Sequence, residues 1–233
     1  MESERSLSIY LMKDTFKKLP AEKRLSILAA AAAIFARDGY HASSIDSICT
    51  QAGISNGALY KYFRNKEDLF LTVIDQGIEL IREFYRQFDQ AGPVLATLEK
   101  IFHGIHRTVP GEGTAVSIYL DLCTRALNRF AEKKSGPIEE VGRDFLTELL
   151  ENAASRGELT AGIDIPAAVY FIDNLILLYS FSMVSVHYRR RLLLFMNEKN
   201  DVPEKKKIEF MLQSVRQMLA AHHTTKNTRG KQT

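Results

Sequence analysis

The stretch that decides the fold reads GYHASSIDSICTQAGISNGALYKYFRNKEDLF and spans residues 39–70 of the 233-residue chain. Glycine favours the left-handed backbone that ends helices, and serine or asparagine side chains accept the free amides at helix starts. Gly39 and Gly53 are therefore expected to end two helices, and Ser55 and Asn65 to begin the next two. The pattern predicts short helices joined by tight turns.

Apolar residues around these turns recur at helical spacing. After Pro20, an alanine-rich segment places four residues three and four apart, which makes one apolar helical face. These residues are Leu25, Leu28, Ala32 and Phe35. Either Ser43 or Ser44 caps the second short helix, and in the third Leu59 and Phe63 face the core.

The turn Ala52–Ser55 joins the second and third helices as in a helix-turn-helix, whose second member enters the DNA major groove N-terminus first. That member spans Ser55–Phe63. Residues 21–72 resemble the DNA-binding signature of the TetR family of bacterial regulators, in the GY after the first helix, the paired serines, AGIS, and Asn-Lys-Glu at the next helix. The resemblance implies an all-α protein, with an N-terminal helix-turn-helix domain and a larger C-terminal domain for ligand binding and dimerisation.

Seven residues are candidate DNA contacts: Ser44, Ser55, Asn56, Gly57, Tyr60, Lys61 and Lys66. Gly57 allows close approach to DNA, which offsets a helix penalty of about 1 kcal/mol. The Tyr60 hydroxyl suits a phosphate, with half-buried packing as the alternative, and the two serines lie at anion-binding helix N-termini. Asn56 and Lys61 can reach base edges or the backbone. The helix dipole opposes a cation at Lys66 by about 0.3–1 kcal/mol, and a phosphate partner would explain it.

Beyond Gly92-Pro93 the helical pattern resumes in five segments, near 93–108, 112–131, 137–156, 165–197 and 204–222. The segment near 165–188 is apolar on most faces and needs burial on more than one side. With the helix near 204–222 it is predicted to form a homodimer interface. A two-fold dimer would place two recognition helices about 34 Å apart, as a palindromic DNA site requires.

A small-molecule pocket is expected among the middle helices, with aromatic walls and a few polar groups. The candidate lining residues are Phe102, His103, His106, Tyr119, Asp121, Cys123, Tyr170, Asp173, Asn174 and Phe181. For each one, ordinary packing is the alternative, but Asp173 and Asn174 need polar partners in so apolar a helix. His103 and His106 are three residues apart, yet no zinc motif or cysteine cluster accompanies them, so neither a metal nor a cofactor is predicted.

The sequence is expected to divide into an N-terminal arm over 1–19, a helix-turn-helix domain over 20–65, an effector-binding and dimerisation domain over 66–222, and a flexible tail over 223–233. The third part is expected to begin with a connector helix over 66–90. Three basic and no acidic residues lie in 224–233, so the net charge of +3 leaves the remainder close to neutral. DNA binding must therefore come from a local arrangement.

The location predicted from the sequence is the cytoplasm. Cys49 and Cys123 form no CxxC pair and follow no secretory signal, so both are expected to be reduced thiols. The apolar stretch 169–186 has the hydropathy of a membrane span, but Asp173 and Asn174 would need partners in lipid. No membrane contact is predicted.

The function predicted from these features is a repressor that a small, largely apolar effector releases from a palindromic operator. An activator, or a protein that binds DNA constitutively, would have the same sequence features, and a fully packed core would favour the constitutive version. An enzyme or carrier is the second class, although the chain has no nucleophile elbow, phosphate-binding loop, catalytic carboxylate pair or metal cluster. A helical protein-interaction module is the third.

Overall fold

A computed structural model of the chain describes residues 13–219, without the side chains of residues 110–112, and all regular structure in this part is helical. The α-helices in chain order are α1 (Asp14–Lys17), α2 (Ala21–Ala42), α3 (Ile45–Ala52), α4 (Asn56–Tyr62), α5 (Lys66–Arg86), α6 (Val94–Glu112), α7 (Thr114–Leu122), α8 (Asn128–Ser155), α9 (Ile165–Val184), α10 (Val186–Phe195) and α11 (Glu204–Leu219). A 3-10 turn, Arg125–Leu127, precedes α8. The predicted tail over 223–233 and the first twelve residues of the predicted arm lie outside the described residues.

The helix ends around the deciding stretch form as predicted. Gly39 breaks the helical backbone near the end of α2 with φ of 74°, and Gly53 ends α3 with φ of 62°. Ser44, rather than Ser43, caps α3 and accepts a hydrogen bond from the amide of Ser47 at 3.0 Å. Asn65 caps α5 by accepting from the amide of Asp68 at 2.8 Å. These local signals fix where each helix of the head (residues 13–65) begins and ends.

The head rests on the rest of the protein through its longest helix. Helix α2 packs against α3, α5 and α7, so it contacts both the head and the helical bundle formed by α5–α11. Tyr40 at the end of α2, Phe70 of α5 and Phe130 of α8 pack in tilted and edge-to-face arrangements, with ring centroids 4.8 to 5.0 Å apart. A continuous core therefore joins the head to the bundle.

Helix α9 is the centre of the bundle and packs against α6, α8 and α10, while α11 covers α6. Within residues 13–219, α9 is the one helix that is long and apolar enough to cross a membrane. Its most apolar 18 residues have a mean hydropathy of 1.6, and 39% of this segment is buried in the protein. Core helices of soluble proteins have the same composition. Helix α9 also contacts α7 and α11, so five neighbouring helices cover apolar residues on several of its faces, while Tyr170 and Phe171 stay exposed.

Three predicted helix boundaries in the bundle are wrong. The expected break near Gly136-Pro137 is absent, because α8 continues through Pro137 and buries Ile138 against the core. The expected single helix over 165–197 is divided at Ser185, whose backbone is extended between α9 and α10. The expected helix over 112–131 ends at Leu122.

Candidate nucleic-acid interface and effector cavity

The recognition helix α4 has one buried and one exposed face. Leu59 is fully buried with 1% exposure, as is Phe63 immediately after the helix, so both hold α4 against the head. On the opposite face Asn56, Gly57, Tyr60 and Lys61 are exposed. The Tyr60 ring, at 49% exposure, is an exposed large apolar side chain, which disfavours the half-buried packing alternative. The face predicted for DNA is therefore free of contacts to the bundle.

Gly57 is not explained by the folded chain itself. A methyl group at its Cα would meet only the Ser55 hydroxyl, at 4.0 Å. Glycine within a helix costs about 1 kcal/mol relative to alanine, and no positive φ requires it at this position. Nothing within residues 13–219 excludes a side chain here, so the close approach of DNA to Gly57 stays a prediction.

Three polar candidates at the starts of α3 and α4 already have partners inside the head. The Asn56 amide donates to the carboxylate of Asp46 on α3, which fixes its orientation and leaves its carbonyl oxygen exposed. The hydroxyls of Ser44 and Ser55 accept the amides of Ser47 and Ala58 as helix caps. A cap hydroxyl can still donate its proton to a phosphate, so these DNA contacts stay predictions.

Lys66 has a different role from the one that its position in the sequence suggested. Its ammonium donates to the carbonyls of Tyr40 at 2.7 Å and Ser43 at 2.9 Å, and lies 3.4 Å from that of His41. It also lies over the Tyr40 ring, 4.7 Å from the centroid. Partial burial lowers the pKa of this amine. The cation thus binds the carbonyl end of α2, and a phosphate is no longer needed to explain it.

The segment before Pro20, for which an arm on DNA and a short amphipathic helix were the two expectations, forms the short helix α1, and its packing on the recognition helix was not predicted. Lys13 donates from its ammonium to the carbonyl of Tyr60 at 2.6 Å, and the Thr15 hydroxyl donates to that of Lys61. Phe16 is 1% exposed and packs with its ring centroid 4.8 Å from that of Phe63. Residues 13–19 therefore cap and support the end of the recognition helix rather than forming a separate arm, and only the apolar residues among lysines indicated this in the sequence.

A cavity of about 430 Å³ lies inside the bundle and is lined by α5, α6, α7, α8 and α9. Its apolar wall comes largely from the connector helix α5, through Leu80, Ile81, Phe84 and Tyr85. The volume is within the range of small-molecule sites, about 300–1,000 Å³. Of the ten predicted lining residues, Tyr119 and Asp173 line it.

The other eight predicted lining residues lie elsewhere: Phe102, His103, His106, Asp121, Cys123, Tyr170, Asn174 and Phe181. Tyr170 is 74% exposed on the surface of α9, and the Asn174 amide donates to its carbonyl at 2.8 Å. His103 and His106 point to Glu204 at the start of α11, with the His103 Nδ1 2.7 Å from its carboxylate. These eight residues do not line this cavity, and their packing or surface contacts agree with the alternative to a ligand role.

The polar end of the cavity contains two carboxylates on neighbouring helices. The Tyr119 hydroxyl donates to Glu139, whereas within residues 13–219 no donor forms a hydrogen bond to Asp173. Asp173 lies so close to Gly142 that a methyl group there would be 2.6 Å from its Oδ1. Burial, and secondarily the charge of Glu139, raise the pKa of Asp173 to about 6. The half-buried Asp173 carboxylate can accept a hydrogen bond from water or from a ligand in the cavity.

Replacing Asp173 by asparagine is expected to stabilise the protein above pH 6. The folded-state pKa of Asp173 is raised from 3.8 to about 6, so the folded state binds the proton more tightly and stability falls as pH rises through this interval. After discounting for solvent screening, the variant gains about 1 kcal/mol at neutral pH. Urea unfolding of both proteins at several pH values measures the difference, which should vanish below the ordinary pKa. Equal stability at neutral pH would contradict the assignment.

Comparisons with known proteins agree with this arrangement. The profile of the bacterial regulatory proteins, tetR family, matches residues 27–73. The transcriptional regulator UidR of Escherichia coli (strain K12) is 36% identical over 155 residues, covering 66% of this chain and 77% of that protein. The fatty acid metabolism regulator protein of Bacillus subtilis (strain 168) is 28% identical over 150 residues, covering 63% and 75%. The repressor KstR2 of Mycolicibacterium smegmatis is 27% identical over 158 residues, covering 66% and 76%.

Solved structures show the same fold. The fatty acid degradation regulator FadR from Bacillus halodurans superposes with a TM-score of 0.63 at 20% identity, covering 82% of this chain and 96% of that chain. FadR from Bacillus subtilis in complex with stearoyl-CoA gives 0.59 at 21% identity, covering 85% and 99%.

The family profile and relatives that are transcriptional regulators identify the chain as a DNA-binding transcriptional regulator, not an enzyme. The relative at 36% identity over most of its own length makes the family plain. The chain belongs to the TetR family.

Proposed function

We propose that this regulator is a cytoplasmic homodimeric repressor that leaves a palindromic operator when a small, largely apolar effector occupies the bundle cavity. The observation that carries the proposal is the position of α5. This helix begins at Lys66, beside the recognition helix, and lines the cavity with Leu80, Ile81 and Phe84. A ligand that moves the far half of α5 therefore moves the head, provided that it binds the two states with different affinity.

The domain organisation proposed for the chain is the one expected from the sequence, with one change. Residues 13–19 join the helix-turn-helix head up to residue 65, because Phe16 is buried against the recognition helix. Residues 66–222 bind the effector and dimerise. Helices α9 and α11 supply the interface, and the exposed Tyr170 and Phe171 on α9 are apolar side chains that a second protomer would cover.

The effector proposed is apolar over most of its length and carries a hydrogen-bond donor at one end. The walls formed by α5 favour an alkyl or ring system, and the unpartnered Asp173 accepts a donor but repels a free carboxylate. Acyl thioesters meet these requirements, since their pantetheine arm has amide donors. A solved relative, FadR from Bacillus subtilis, is in complex with stearoyl-CoA.

Operator release by graded ligands tests this proposal. A duplex selected from a random pool is bound to the protein, and its Kd is measured with and without long-chain acyl-CoA, the matching free fatty acid and coenzyme A alone. The acyl-CoA is expected to weaken DNA binding roughly tenfold or more, a coupling of about 1.4 kcal/mol. Coenzyme A alone and the free acid should have little effect. If no ligand changes the Kd, the effector-responsive function is wrong.

Constitutive DNA binding and activation are the remaining candidates. The cavity disfavours the constitutive version, which would be expected to have a packed core. A reporter gene placed behind the selected duplex separates repression from activation. Deletion of the regulator raises reporter expression if the regulator is a repressor and lowers it if the regulator is an activator.

A further inference from the structure

A second cavity, of about 410 Å³, lies between the bundle and the head. Its walls come from α2, α5 and α7, with α8 contributing Ile138. The two cavities share lining residues on α5, α7 and α8, among them Ile81, Tyr119 and Ile138. These shared residues make the two cavities neighbours, and the second one reaches the first long helix of the DNA-binding head.

The head's side of this second cavity is apolar and incompletely covered. Helix α2 contributes Leu25, Leu28 and Ala29, and α5 contributes Leu80 across the gap. Leu25 is 52% exposed and Leu80 44% exposed, although the sequence pattern placed Leu25 on the buried face. Large aliphatic side chains that are half exposed around a cavity can bury more of their surface against an apolar ligand.

Gly77 is a lining residue of the second cavity at which the absence of a side chain leaves space. It lies in the middle of α5, lines the second cavity but not the first, and has ordinary helical backbone. A methyl group at its Cα would meet Ala115 at 3.9 Å, which is ordinary contact, so packing does not require glycine. Glycine in a helix is unfavourable, and at this position its effect is to leave volume between α5 and α7.

We propose that the second cavity binds the distal end of a long alkyl chain whose polar end occupies the first cavity, so that the ligand itself contacts helix α2 of the DNA-binding head. This rests on the proposed effector function and makes release dependent on chain length. The inference narrows the proposed function to long chains: short chains fill the first cavity only and do not move the head, so they bind without releasing DNA. Chains that pass Gly77 lie between α2 and α5 and displace the head.

The probes for the test are neutral and carry donors: octanoyl, dodecanoyl and hexadecanoyl ethanolamide, used below their aggregation concentrations. Binding is measured by displacement of a neutral naphthylamine dye, since the chain has no tryptophan. Release is measured as the Kd for the selected duplex. Each added methylene that is buried should strengthen binding about fourfold. In the wild type, the hexadecanoyl probe is expected to release DNA and the octanoyl probe to bind without release.

The variant Gly77→Leu places a large side chain in the second cavity, and leucine is more favourable in a helix than glycine. It is expected to weaken hexadecanoyl binding at least tenfold, to leave octanoyl binding within about twofold, and to abolish release. The matched control is Gly136→Leu on α8, where the glycine lines neither cavity and has open space around it. Thermal unfolding establishes that both variants are folded.

The outcomes separate this inference from the function on which it rests. If all three probes release DNA equally from the wild type, or if Gly77→Leu responds to the hexadecanoyl probe as the wild type does, the second site is wrong and the first cavity alone acts. If no probe displaces the dye from the wild type, the apolar effector itself is wrong and the second site falls with it.

Discussion

Replacing Gly57 by glutamine is expected to remove specific DNA binding while leaving the protein folded. Glutamine favours a helix, and within residues 13–219 a Cβ at this position meets only the Ser55 hydroxyl at 4.0 Å. The added side chain would occupy the space through which α4 approaches the major groove. The expected loss is roughly a hundredfold in affinity for the selected duplex, the order of one or two base contacts.

The measurement is a titration of labelled duplex by wild type and variant, together with their thermal unfolding midpoints. The matched control is Gly136→Gln, another exposed helical glycine with nothing within 4 Å. The control should bind DNA like the wild type, and both variants should unfold at or slightly above the wild-type temperature. Full DNA affinity in Gly57→Gln would mean that α4 does not enter the groove.

Replacing Lys66 by methionine is expected to destabilise the head. The substitution removes the cation that binds the carbonyls of Tyr40 and Ser43 at the end of α2 and leaves them without that donor. Hydrogen bonds to charged groups contribute about 1.5–3 kcal/mol to stability. Because Lys66 is partly exposed, its loss is expected to lower the free energy of unfolding by about 2 kcal/mol. For a chain of this size, the unfolding midpoint should fall by about 4–8 °C.

The salt dependence of DNA binding separates this structural role from a phosphate contact. A lysine that neutralises one phosphate contributes about one to the slope of log Kd against log salt. Lys66→Met should therefore leave the slope unchanged, measured at a temperature where the variant is folded. The control Lys61→Met, on the exposed face of α4, should keep its stability and lower the slope by about one. The opposite pattern would restore Lys66 as the phosphate ligand.

The head could be predicted from the sequence because its boundaries depend on local chemistry. A capping serine or asparagine, and a glycine with positive φ, act on amides and carbonyls within a few residues. Gly39, Gly53, Ser55 and Asn65 therefore end or begin helices as predicted. The recognition helix followed within one residue at each end.

The bundle was harder to predict because long-range packing determines it. Pro137 should end a helix by local rules, yet burial of Ile138 keeps α8 continuous through it. No strong helix-stop signal lies at Ser185, so the apolar pattern of the sequence did not predict the division between α9 and α10. In both places contacts with residues far along the chain outweigh local preference.

The cavity shows the same limit at the level of single residues. Aromatic and polar types alone selected Tyr170 and Asn174, which are on the outside of α9, and missed Phe84 and Tyr85 of the connector helix. The sequence did contain a signal for the cavity wall. The apolar stripe on α5 continues along the helix well beyond the part that contacts the head. The contacts of Lys66 with the end of α2 could not be predicted, because its carbonyl partners are more than twenty residues away.

The central claim is that α4 reads a palindromic site as part of a dimer, and one selection experiment tests it directly. Purified protein is incubated with random duplex DNA, and the retained fraction is sequenced for the wild type, Gly57→Gln and Gly136→Gln. The account predicts a palindrome with half-sites about one helical turn apart, enriched by the wild type and Gly136→Gln and lost in Gly57→Gln. No enrichment by the wild type at low salt, or the same palindrome with Gly57→Gln, would contradict it.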